Sequence, residues 1–211
     1  MQCSSNSCSS GCGGHTLPCP CPEEGNPEID SLEKVVNCFW QKNQDLAVER
    51  DYYESLESLA DAVDEAAQAL GDENLGYNQP DAISRKVLTV TREKLVAAEN
   101  ELSRVADFTK LHAVVCTSIG DLAGLTPALV YLTALRIGLQ ARVHPQHIYL
   151  DAGAREGCAA LVGPDLERVV LPRDQLPRIF QHPELTTEDV QSCLTVCRHQ
   201  LDWLGRQQKR D

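Results

Sequence analysis

Between residues 52 and 70 the apolar side chains fall at alternating intervals of four and three: Tyr52, Leu56, Leu59, Val63, Ala66 and Leu70. That spacing lays one apolar seam along a helix packed nearly parallel or antiparallel to another. The acids Glu54, Glu57, Asp61, Asp64 and Glu65 take the other positions. The same interval returns in Leu88, Thr91, Leu95, Ala98, Leu102 and Val105. Between the two stretches GDENLGYNQPD reads as a loop, with Gly71 stopping the first helix and Asp81 available to cap the second. The pattern predicts an acidic helical hairpin within residues 30–106. Each long arm has about 25 residues and is therefore about 37 Å long. Ahead of it SLEKVVNCFWQKN predicts a shorter helix, capped by Asp30 or Ser31, with Leu32, Val35, Val36, Phe39 and Trp40 broadly on one side. The seam does not say which chain supplies its partner helix, so the hairpin is also a candidate coiled-coil dimerisation element.

After Asp107 the apolar pattern becomes denser, and residues 107–211 read as a compact, mainly helical domain. FTKLHAVVCTSIG predicts a buried helix, and LTPALVYLTALRIG a second, with Thr126 as cap and Pro127 in its first turn. ARV, HIYLDAG and ERVVL are strand-like, and GAREGCAALVGPDL mixes small residues with turns. RDQLPRIF and TTEDVQSCLTVCRHQLDWLGRQ predict two closing helices, the last with Val190, Leu194, Cys197, Leu201 and Leu204 on one stripe. The fold class is mainly α, a long antiparallel helical hairpin followed by a compact helical domain with a small strand element.

Composition and charge narrow the function. Hydrophobic content of 42% and charged content of 24% are those of an ordinary soluble protein. No apolar run is long enough to span a bilayer, and the start of the chain lacks the basic and apolar regions of a secretory signal. A cytoplasmic, non-membrane protein is the expectation. The net charge of -12 is unevenly placed. Residues 23–81 hold sixteen acidic side chains against Lys34, Lys42 and Arg50, and residues 82–211 hold fifteen acidic and sixteen basic ones. A field so concentrated attracts basic protein surfaces and argues against nucleic acid as a ligand of that third.

Residues 1–29 form a tail rich in Cys, Ser, Gly and Pro. Cys3, Cys8, Cys12, His15, Cys19 and Cys21 place six soft or borderline donors within it. In a reducing compartment such clusters are more often metal ligands or redox groups than disulfides. Four such donors suffice for tetrahedral zinc, and the flexible spacers allow the tail to wrap a zinc ion or an iron-sulfur cluster. The spacings match no common zinc-finger pattern, and an unstructured, reduced tail is the alternative. Cys193 and Cys197, one helical turn apart near His199, offer two further donors, although Cys197 lies on the apolar stripe and fits packing better. Cys38, Cys116 and Cys158 stand singly.

Two local stretches resemble known families. GDLAGLTPALVYLTALRIGLQARVHPQHIYLD, residues 120–151, is similar in rhythm to the helix, strand and histidine of transglutaminase-like cysteine hydrolases. That resemblance implies a nucleophilic Cys opening the helix and a His base on the strand. Leu122 and Ala123 stand at the helix opening, so His147 alone matches. LAGLTPALV, residues 122–130, resembles the hairpin of helix-hairpin-helix modules of the DNA-glycosylase type, with Gly124 in place and Thr126 where a second glycine belongs. Nucleophile elbow, phosphate loop, H-E-x-x-H and dinucleotide fingerprint are all absent.

The expected function is a non-catalytic interaction protein, of the adaptor, assembly or inhibitor kind. Its acidic face, Glu54, Glu57, Asp61, Asp64 and Glu65, docks a basic partner while the tail holds a metal. One alternative is an enzyme whose site gathers Cys116, His144, His147 and Asp151, with His112 and Cys158 as further donors by type. Another is nucleic-acid binding through Arg136, Arg142, Arg155, Arg168, Arg173 and Arg178, which requires them on one face.

Overall fold

The computed structural model describes residues 29–43, 45–69, 83–164, 166 and 168–208. Among them the chain forms ten α-helices and one two-stranded sheet. Helices α1 (Leu32–Lys42), α2 (Asp45–Ser55), α3 (Leu59–Gln68), α4 (Arg85–Ala97), α5 (Glu99–Leu102), α6 (Phe108–Ile119) and α7 (Pro127–Gln140) come first. Strand β1 (His147–Tyr149), α8 (Ala152–Val162), β2 (Val170–Pro172), α9 (Thr187–Val196) and α10 (Arg198–Gln208) complete the order. The strands pair antiparallel, Ile148 opposite Leu171.

Most helix starts follow side-chain capping. Ser31, Ser58, Ser84, Asp107, Thr126, Asp151 and Thr186 each accept a bond from a backbone N–H of the first turn. Thr186 and Asp189 form a reciprocal capping box. Ser58 accounts for a departure from the expected hairpin. Its extended backbone starts α3 afresh, so the first arm is two helices separated at Leu56–Ser58. The second arm is likewise α4 and α5, meeting at Ala98. The seam residues Val63, Ala66, Leu95 and Leu102 are buried, within one cluster that also takes in Phe108, Val115 and Ile137. The α3–α4 pair thus packs on α6 and α7 of its own chain, which fills the buried part of that seam from within the chain.

Other differences have local causes. ARV is the stop of α7, not a strand: Arg142 takes the left-handed conformation at φ 57°, Arg142 N–H donates to Leu139 O and Val143 N–H to Gly138 O. That is a Schellman ending with arginine where glycine is usual. GAREGCAALV is helix α8, and its glycines mark close packing instead of turns. A Cβ on Gly157 would lie 2.2 Å from Leu194 O of α9. RDQLPRIF is two 3-10 turns, Arg173–Gln175 and Arg178–Gln181, divided at Pro177, which cannot donate to a continuing helix. The last predicted helix divides at Cys197, yet Val190, Leu194, Cys197, Leu201 and Leu204 are all buried as the stripe requires.

Two apolar clusters meet at β1. Ile148 points into one with Val35, Phe39, Leu171, Phe180 and Leu194, and the adjacent Tyr149 into the other with Phe108 and Tyr131. Alternation of side chains along a strand produces this division. Helix α7 is buried nearly all round, and α2, α3 and α6 pack on it.

Candidate functional site

Helix α2 has one inward and one outward face. Inward, Glu49 accepts two hydrogen bonds from Arg136 of α7, Nε at 2.8 Å and Nη2 at 2.6 Å. Arg136 is 2% exposed, and its Cζ lies 5.6 Å from the Tyr53 ring centroid. Burial pushes the Tyr53 phenol up to about 12. Arg50, next on α2, donates to Asp189 at 2.9 Å and to Thr186 at 3.2 Å, tying α2 to the start of α9. Glu188, buried beside it, faces His144 Nδ1 at 3.3 Å. Between α2, α7 and α9 lies a cavity of about 40 Å³ whose lining mixes charged side chains and Ser192 with four leucines.

Outward, Val48 is 66% exposed and Tyr52 46%. Asp51 stands beside them, also exposed, and the three positions i, i+3 and i+4 share one face. Exposed Glu57 and Asp61 follow around the α2–α3 break.

The five acids expected to dock a partner are therefore in unequal positions. Glu54 pairs with Arg142. Asp64 pairs with Arg92 of α4 at 2.7 Å, and Glu65 accepts from the Tyr52 hydroxyl. Asp61 accepts from Ser58 Oγ at 2.6 Å but remains exposed, and Glu57 is exposed. The ordered acidic face is thus centred on Asp51, Glu57 and Asp61.

The proposed metal donors Cys3, Cys8, Cys12, His15, Cys19 and Cys21 lie outside the described residues, as do Gly71 and Asp81. Among the described residues no three His, Cys, Asp or Glu side chains gather as a metal site. Cys158, Cys193 and Cys197 are buried, and burial pushes the Cys158 thiol up to about 12, which makes it inert.

The residues of the enzyme alternative stand on separate elements. Cys116 is exposed on α6, His147 is exposed on β1, His144 faces Glu188, and Asp151 caps α8. Burial raises the Asp151 carboxyl, against the hydrogen bonds that hold it as a cap. None of the four lines the α2–α7–α9 cavity. His112 packs against Phe108 and Tyr149, and burial lowers its pKa. Gly124 has φ 96° in the turn before α7, where a Cβ would meet nothing within 4 Å. The arginines do not form one free face. Arg136 is buried, Arg142 pairs with Glu54, Arg155 donates to the carbonyls of Leu150, Leu166 and Arg168, and Arg173 to those of Phe180 and His182. They hold loops and helices together, leaving few guanidiniums for phosphates.

The Glu49–Arg136 and Arg50–Asp189 pairs escape periodicity analysis, yet one signal points to them. Arg136 is the lone charge within the apolar run LTPALVYLTALRIG, and a charge buried by its neighbours needs a partner. No helix among the described residues is long and apolar enough to cross a membrane. Comparison of the chain with protein families, characterised proteins and solved structures finds no match.

Proposed function

We propose that the protein is a non-catalytic interaction protein, an adaptor or assembly factor, whose outward α2–α3 face docks a basic segment of a partner. The observation that carries this reading is the exposed Val48–Tyr52 pair set beside Asp51, Glu57 and Asp61 in the most acidic third of the chain. Exposed apolar side chains ringed by one sign of charge suit an amphipathic basic helix, with the apolar contact supplying affinity and the carboxylates orientation and rate. A titration of the full chain with a synthetic Lys/Leu amphipathic peptide tests it. Saturable binding is expected, with amide shifts at α2–α3, weaker in high salt and in the Asp51→Lys/Glu57→Lys variant. Binding indifferent to both changes rejects the reading.

The tail supports a second part of the same reading. Its five cysteines and one histidine within 21 residues suit zinc or an iron-sulfur cluster. Elemental analysis of anaerobically purified protein, with and without residues 1–22, decides this. Stoichiometric metal lost on truncation supports it, and metal-free protein in both samples rejects it.

A further inference from the structure

The cavity between α2, α7 and α9 contains a feature that the docking face does not explain. Arg136 forms part of its wall and is 2% exposed, and its Nη1 has no hydrogen-bond partner although Nε and Nη2 are both held by Glu49. A buried guanidinium N–H left without an acceptor is costly, and an acceptor oxygen from outside the fold removes the cost.

Size and charge restrict what supplies that oxygen. A cavity of about 40 Å³ compares with roughly 10–15 Å³ for one water, so it admits a molecule of a few heavy atoms. A single water finds polar partners here, but it takes up roughly a third of that volume and leaves the rest beside Leu46, Leu132, Leu135 and Leu139, which offer a second water none. An anion fits poorly too. Two guanidiniums, Arg50 and Arg136, face three carboxylates, Glu49, Glu188 and Asp189, within a chain of net charge -12.

We propose that this cavity binds a small uncharged ligand with one acceptor oxygen, of the carboxamide class. Its carbonyl accepts from Arg136 Nη1 and its aliphatic part lies against Leu46, Leu132 and Leu135.

The test uses the full chain, labelled for amide NMR, titrated separately with acetamide and with its charged isostere acetate. Acetamide is expected to give saturable shifts confined to α2, α7 and the start of α9, and acetate to bind at least about tenfold more weakly. Arg136→Lys keeps the positive charge but alters the donor geometry, and is expected to weaken acetamide about tenfold. Leu135→Trp fills the cavity from a half-buried position and is expected to abolish binding with the rest of the spectrum unchanged. If Arg136→Lys does not fold, Leu135→Trp alone decides. Acetate binding as tightly as acetamide, shifts that never saturate, or binding that survives Leu135→Trp overturns the proposal.

Discussion

Single residues in this protein show where charge and backbone conformation are at odds with their surroundings. Arg136 is legible in the sequence as an isolated charge in an apolar helix; its partner Glu49, 87 positions away, is not, because no periodicity links the two. Glu49→Ala is expected to destabilise the chain by about 2–3 kcal/mol, since it strands a buried guanidinium. The loss is smaller than for a fully buried pair because Glu49 keeps about a third of its side chain in solvent. Replacing both residues by apolar ones of similar size is expected to cost less than the single change, and urea unfolding compares them. Arg142 poses a backbone question. In its left-handed conformation Arg142→Gly should be about 1 kcal/mol more stable than Arg142→Ala, a comparison in which the lost Glu54 pair cancels. His112 gives a pH dependence. Burial lowers its folded-state pKa below 6.5, so above that pH both states hold it neutral. As pH falls through 6.5 the unfolded chain takes up the proton first, and stability declines until the folded His112 titrates as well. His112→Gln is expected to flatten that part of the stability profile.

At the scale of elements, capping and apolar spacing were legible, and interruptions were not. The seam at four-three spacing identifies Val63, Ala66, Leu95 and Leu102 as buried, leaves Leu56 and Leu59 half-buried and misplaces Tyr52, because the spacing runs through Leu56–Ser58, where Ser58 restarts the helix. Periodicity carried through such a break loses the face on its far side: Tyr52 is exposed and Tyr53 is buried in its place. Helix α8 escaped because Gly153 and Gly157 read as turn residues, whereas their role is to let α9 approach. Gly157→Ala should therefore destabilise despite the better helix propensity of alanine, by about 1–3 kcal/mol, because the added Cβ meets the Leu194 backbone. Gly153→Ala should cost less, since its nearest obstacle is the Thr195 methyl, a side chain able to turn away. Chemical denaturation of the two variants in parallel checks the order.

On the scale of the whole molecule, β1 joins the two apolar clusters through adjacent residues, and this predicts a single cooperative unfolding event. Trp203, packed against the cluster of α1 and α10, and Trp40, next to the buried Phe39 on α1, report on that cluster, while Tyr53, Tyr131 and Tyr149 report on the other. Tryptophan fluorescence and tyrosine near-ultraviolet dichroism should give the same urea midpoint; separate midpoints would mean that the strand does not couple them. The overall charge asymmetry was fully legible from the residue count, but its internal use was not, because the partners are distant in sequence. Arg92, Arg136 and Arg142 all reach back from the near-neutral part of the chain to carboxylates of the acidic third. The protein thus carries its own counterions. On the docking reading proposed above, an arriving cationic segment would exchange contacts with the exposed Arg92 and Arg142 wherever it spread beyond the open carboxylates, and exchange yields less than simple pairing. On that reading such a surface would act as a threshold on the visitor's charge, passing over weakly basic proteins and retaining those whose positive charge exceeds what the chain already provides for itself.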